Sequence, residues 1–249
     1  MAAPRLTPEL SPPHRAPSKA APAHSTFGVH YQRLGSFDIQ EFFMIRRSLI
    51  AFAAISALAI AAPSLAMPSV GQDAPDFSLT DTAGKVVRLS DFRGRHVVLE
   101  WVNPGCPYVR KHYHSANMQA TQKEVTASGV VWLAINSTET GSPDYLEPKK
   151  LADWMTGQKA APTRTLMDAE GSVGQAYGAR TTPHLYIVNP QGKLVYAGGI
   201  DSIASSRADD IKSAVNYVKQ GITQALAGQP LSHPTTRPYG CSIKYKSGA

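Results

Sequence analysis

Two cysteines in 249 residues carry the thiol chemistry open to this chain. The first stands in Trp101-Val-Asn-Pro-Gly-Cys-Pro-Tyr-Val-Arg-Lys-His-Tyr-His114, spaced like half of a C-x-x-C redox site whose second cysteine is Val109. Pro107 at a first helical position would place Cys106 at the start of a helix. There the positive end of the helix dipole and unpaired N–H groups favour a thiolate, the form that attacks disulfides and peroxides. Arg110 and Lys111 add positive charge within a turn. A reactive Cys106 fits this address, and so does an inert structural cysteine.

The second cysteine is far off, in the tail segment Tyr239-Gly-Cys-Ser-Ile-Lys-Tyr245. Its alternating apolar pattern could add to a sheet edge, and a mobile tail can carry a thiol to a distant partner. A Cys106–Cys241 pair, cycling or permanent, is one expectation for an oxidising compartment. A free or intermolecular Cys241 is the other.

The surrounding elements must place these groups. His96–Val102 reads as a central strand, β-branched and nearly all apolar. A helix is expected from Pro107 toward Thr126. Val130–Asn136 is a second buried-type strand, Glu147–Gly157 a helix, Arg164–Asp168 a short strand and Gly171–Tyr177 a short helix. His184–Val188, Asn189-Pro-Gln-Gly192 and Lys193–Ala197 form a hairpin, and Ser206–Leu226 carries an apolar stripe as one amphipathic helix. Ahead of them, Gly71–Thr80 and Val86–Ser90 flank an Asp/Thr/Gly turn as a leading hairpin. Alternating strands and helices give an α/β layered fold.

The chain also divides along its length. Residues 1–43 are rich in Pro, Ala, Ser and His without apolar period and read as disordered, a stretch that would precede the true start if Met44 is the initiator. Residues 44–66 open with Arg46-Arg47, continue as an apolar run from Leu49 and end at Ser64-Leu-Ala66, the three-part pattern of a secretory signal. Export, to a bacterial periplasm, is the expectation; an uncleaved membrane tether is the alternative. Residues 67–227 form the folded domain and 228–249 a tail.

The full chain is basic, at +7, but beyond residue 66 it holds 19 Lys and Arg against 15 Asp and Glu, a net +4 spread without blocks. Nucleic-acid binding has no support in that pattern. No G-x-G-x-x-G follows a strand, so no dinucleotide cofactor is expected. His112, His114 and His184 with Cys106 raise a metal-binding alternative, but its ligand count is incomplete. His184 is the histidine expected nearest Cys106.

The strand–loop–Cys–Pro–helix unit, the order of elements and Thr182-Pro183 before the last hairpin resemble the thioredoxin fold over residues 70–225. The leading hairpin is similar to the addition found in redoxins, the group that includes peroxiredoxins and thioredoxin-like reductases. The resemblance implies a cis Thr182–Pro183 bond with the Thr182 backbone facing Cys106. It also implies that Glu100, six residues before Cys106, is a buried acid that relays protons; on the strand pattern it could instead face solvent or pair with Arg93 or Arg95. Departures matter. A peroxiredoxin should carry its cysteine where Val109 stands, and, tested on Cys106 itself, the motif has Asn103 where Thr or Ser belongs. The resemblance is closest to the peroxiredoxin-like subgroup that keeps the first cysteine. That label implies a fold more than a reaction; with the address of Cys106 and the tail position of Cys241, the expectation is a thiol-disulfide oxidoreductase whose Cys106 attacks a protein or small-molecule disulfide or peroxide, with Cys241 resolving and a thiol reductant completing the cycle. A thiol peroxidase and a non-catalytic metal- or partner-binding module with a structural disulfide are the alternatives.

Overall fold

The computed structural model describes residues 67–246. The expected leader and signal segments, residues 1–66, lie outside them. A seven-stranded sheet runs in the order β2-β1-β5-β4-β3-β7-β8. Its centre is β3 (Val97–Trp101), every residue of which is buried. That follows from its neighbours: β3 pairs in parallel with β4 (Val131–Asn136) on one side and antiparallel with β7 (His184–Val188) on the other. A strand covered on both faces must be apolar throughout, and only Glu100 breaks the run. β5 (Arg164–Met167) lies parallel to β4, and β8 (Leu194–Gly198) closes the far edge against β7. The leading hairpin, β1 (Ser78–Asp81) and β2 (Val86–Arg88), joins through an antiparallel β1–β5 contact.

Side chains alternate across the sheet, so it carries two cores. Val98, Trp132, Ala134, Leu185 and Ile187 pack under helices α1 (Pro107–His114), α2 (Asn117–Ala127), α3 (Pro148–Gly157) and α5 (Tyr217–Leu226), with Cys106 in the same cluster. Leu99, Trp101, Leu133 and Tyr186 face the other way, toward α4 (Ser172–Tyr177) and the leading hairpin. This is the thioredoxin fold with an N-terminal hairpin addition. Each fully buried Leu, Val or Phe-sized side chain stabilises such a core by about 1.5–3 kcal/mol.

Two expected helices are broken. The one from Pro107 ends at His114, because Ala116 takes a left-handed φ of 60° before α2 begins. The one over 206–226 is a short 3-10 turn at Ala208–Lys212, then α5 from Tyr217. Asn216 explains the break: its side chain accepts from the Lys219 N–H as an N-cap, while residues 215–217 pair with the chain at 200–202. Local capping and pairing outweigh the apolar stripe, leaving Val215 47% exposed.

The tail folds back over the domain. Ala197 exchanges hydrogen bonds with Pro234 and Thr236, which covers the β8 edge. Farther on, β9 (Cys241–Ser242) pairs antiparallel with β6 (Thr181–Thr182), placing Cys241 opposite Thr182. The expected sheet-edge addition is thus made to the segment just before Pro183, as a ladder separate from the main sheet. Among the described residues, no helix is long and apolar enough to cross a membrane.

Candidate active site

The loop between β3 and α1 is built by Asn103. Its side-chain oxygen accepts from the Gly105 N–H at 2.7 Å, its amide donates to Thr138 at 2.9 Å, and its carbonyl accepts from the Cys106 N–H at 3.0 Å. Cys106 then serves as N-cap of α1, with Pro107 as the first helical residue. An open cleft of about 300 Å³ lies beside this loop, lined by Gly105, Arg110, Asp144, Leu146 and Trp154 among others.

Cys106 itself is only 2% exposed. Thr182–Pro183 is cis, and the Cys106 thiol donates to the Thr182 carbonyl across 3.0 Å. The expected meeting of Thr182 and Cys106 is present. Burial opposes ionisation of Cys106, and the contact to the carbonyl favours the thiol. Against them, the Cys241 thiol, the Thr182 side chain and the Val109 and Cys241 N–H groups stabilise a thiolate, and together they hold Cys106 below the usual cysteine range. Val109 contributes the helix N-terminal donor that the sequence implied. The expected cations do not take part: Lys111 is directed to Asp201 at 3.5 Å, and Arg110 folds back to the Pro104 carbonyl at 2.8 Å.

Cys241 is the second sulfur at the site, and both cysteines are free thiols. Burial first, then its hydrogen bond to Cys106 and the charge there, push Cys241 up to about 12. Of the two thiols, Cys106 is therefore the one that gives up its proton first. Gly240 makes the close approach of the tail possible. Its φ is 139°, and a Cβ there would collide with the Thr182 carbonyl.

Glu100 is fully buried, so the solvent-facing and Arg-paired alternatives do not hold; Arg95 binds the Gly129 carbonyl and Arg93 the Gln191 carbonyl. The carboxyl accepts from Trp132 Nε1 at 2.8 Å, Tyr113 Oη at 2.9 Å and Gln122 Nε2 at 3.1 Å. Burial outweighs these three donors and raises Glu100 to about 7. No hydrogen bond joins it to Cys106 among the described residues; any proton path would leave through Tyr113 or Gln122.

The three histidines do not assemble. His112 is buried against Tyr239 and Asn117, and His114 is exposed. His184 lies on the Tyr186 face of the sheet, stacked on that ring at 4.5 Å and accepting from the Arg180 N–H. That is the face opposite the Cys106 core, which corrects the expectation that His184 approaches the thiol. Among the described residues, no three His, Cys, Asp or Glu side chains converge as a metal site.

A polar cluster that sequence reasoning missed lies behind the thiol pair. Asp201 accepts from Tyr239 Oη at 2.5 Å and faces Lys111 Nζ, which also donates to the Ile203 carbonyl. His112 Nε2 lies 3.1 Å from the same Tyr239 hydroxyl, while its Nδ1 accepts from Asn117. Burial lowers His112 to about 4, so it is neutral, with Nε2–H as donor. The available signal was Lys111 and His112 flanked by the core residues Val109 and Tyr113, where solvated cations are out of place.

The sequence profile of the AhpC/TSA family matches residues 70–197. The thiol-disulfide oxidoreductase ResA of Bacillus subtilis (strain 168) is 30% identical over 128 residues, 51% of this chain and 65% of ResA. The protein bcp of Haemophilus influenzae, a peroxiredoxin by name, is 32% identical over 114 residues, 44% of this chain and 64% of its own length. The chain thus spans slightly under two thirds of both relatives. A crystal structure of a conserved protein from Geobacillus kaustophilus superposes with a TM-score of 0.62 at 28% identity, covering 74% of this chain and 95% of that one.

Proposed function

We propose, for a chain that belongs to the AhpC/TSA family, thiol-disulfide exchange in which Cys106 is the nucleophile and Cys241 the resolving thiol. The observation that carries this is the β6–β9 register, which sets Cys241 opposite Thr182, the residue whose carbonyl the Cys106 thiol contacts at 3.0 Å. The Cys106 thiolate attacks a substrate disulfide R–S–S–R, forms Cys106–S–S–R and expels RS⁻. That step removes the negative charge beside Cys241, and with it one of the causes that hold Cys241 protonated. Cys241 then attacks Cys106 Sγ, forms the 106–241 disulfide and expels the second RS⁻, its proton passing to the departing thiolate. A thiol reductant returns the pair to the start.

Thr182 and Pro183 shape the surface at which the substrate disulfide meets Cys106. Glu100, poised near neutrality, serves as a proton reservoir behind α1. The arginine-led apolar segment at 44–66 supports placing this chemistry outside the cytoplasm, where disulfide partners persist.

The test is turnover of a model disulfide by the reduced chain. Cys106→Ser should abolish it, and Cys241→Ser should stall after the first exchange. Full activity in Cys106→Ser would end the proposal. The likeness to bcp favours a second reading, reduction of hydroperoxides through a Cys106 sulfenic acid. Against it, the residue at the Thr position of the peroxiredoxin motif is Asn103, whose side chain is committed to Gly105 and Thr138. Rapid dimedone labelling of Cys106 on addition of hydrogen peroxide would establish that reading instead.

A further inference from the structure

The tail creates a conflict for the exchange reaction. It brings Cys241 to Cys106, which is 2% exposed and shares one packed cluster with Tyr239 and Cys241 of the tail, so the same segment must open for substrate and return for resolution. Tyr239 lies two residues before Cys241 and is the buried anchor nearest to it on that side. Its hydroxyl donates to Asp201 and meets His112, its ring packs edge-on against Tyr108 at 5.8 Å, and Lys111 Nζ lies 5.5 Å from the ring centre. Three of these partners, Tyr108, Lys111 and His112, come from α1, the helix that Cys106 caps. The anchor therefore ties the tail to the helix that holds the nucleophile. Asp201, adjacent to the β8 end, fixes the orientation of the hydroxyl and is itself held by Lys111 and the Ile203 N–H.

We propose that Tyr239, latched by Asp201, His112 and Lys111, is the positioning residue of the resolving step: closed, it seats Cys241 on Cys106 and shuts the thiolate away from substrate; released, it admits the disulfide. This rests on the reading of Cys241 as the resolving thiol. The chemistry is the two-step exchange already written, and the latch changes only how often each partner finds the Cys106 sulfur. Its signature is a pair of opposed effects. Loosening the latch leaves attack on substrate unchanged or faster and makes resolution slower, whereas loss of a merely structural contact would not separate the two steps.

The experiment uses the reduced full chain mixed with excess oxidised glutathione, quenched in acid at intervals and resolved by mass spectrometry into reduced protein, glutathione adduct and internal disulfide. The unaltered chain should pass to the internal disulfide with little adduct. In Tyr239→Phe, which keeps the ring and removes only the hydroxyl, the adduct should form at least as fast. It should convert to the internal disulfide roughly tenfold more slowly, the scale of one hydrogen bond to a carboxylate. Asp201→Asn should shift the two steps in the same opposed directions. If Tyr239→Phe resolves at the unaltered rate, or slows both steps alike, while Cys241→Ser accumulates adduct, the latch is wrong and the resolving role of Cys241 stands. If Cys241→Ser accumulates no adduct, the resolving role falls and the latch with it.

Discussion

Glu100 and Cys106 are six residues apart, both buried beneath α1 and both supplied with hydrogen-bond donors, yet their ionisation is displaced in opposite senses. Glu100 has three side-chain donors and is still raised to about 7. Cys106 is buried too and is lowered. The donors account for the difference. Those of Glu100 are neutral side chains, and no opposite charge accompanies the carboxylate into the interior. Cys106 has a backbone N–H from the first turn of a helix, a second from the tail strand and a second thiol that remains protonated. Polar contacts alone do not make a buried anion; oriented backbone dipoles and a partner that keeps its proton do.

The largest effect should come from removing the charge at the thiol. Cys106→Ser is expected to end thiol turnover, and to bring Cys241 down from about 12 toward the usual cysteine value of roughly 8.5, because one cause of its elevation is gone. The rate of alkylation of Cys241 against pH measures this, and an unmoved midpoint would mean that burial alone sets it.

Next in size is the carboxyl. Glu100 titrates near 4.5 unfolded and near 7 folded, so the folded chain holds the extra proton between those values. Its stability should therefore fall as pH rises through that window, by about 3 kcal/mol, and stay level above it. Glu100→Gln should remove that fall. Urea unfolding at a series of pH values compares the two chains, and parallel profiles would show that Glu100 is ionised at ordinary cost.

Gly240→Ala should act on the other member of the comparison. The added methyl group meets the Thr182 carbonyl at a φ that favours glycine, which costs about 1 kcal/mol or more. The tail is displaced, Cys106 loses two of its donors, and the alkylation midpoint of Cys106 should rise toward the ordinary value. The smallest effect is expected of Trp132→Phe, which removes one donor from Glu100. The stability change between pH 4.5 and 7 should extend upward in pH, with about 1 kcal/mol of further destabilisation at alkaline pH.

Much of the frame was legible because burial on two faces leaves long apolar runs: β3, β4 and the β7–β8 hairpin could be read directly. The break at Ala116 could not, since neither Gly nor Pro marks it and alanine favours helix. The false helix over 206–216 arose from trusting an apolar stripe over Asn216, whose capping role depends on a pairing partner at residues 200–202. At the site, Cys106 could be read from its strand end and the Pro107 that follows it, whereas the placing of Thr182 and Pro183 and the burial of Glu100 came from the resemblance to the thioredoxin fold. The seat of Cys241 did not, because it depends on Gly240 clearing a carbonyl 58 positions earlier. Nor did the Lys111–Asp201 pair, where charges expected on a solvated surface are joined 90 residues apart inside the protein.

The central claim is that Cys106 and Cys241 form a working redox couple. The most direct measurement equilibrates the full chain in graded thiol–disulfide buffers, traps free thiols by alkylation and counts them by mass spectrometry at each potential. The expected result is a single 106–241 disulfide that forms and opens reversibly between roughly −120 and −270 mV, the range of exchange proteins. A bond that resists reduction to below about −300 mV would make the pair a structural staple, and two thiols that never join would leave Cys241 outside the chemistry.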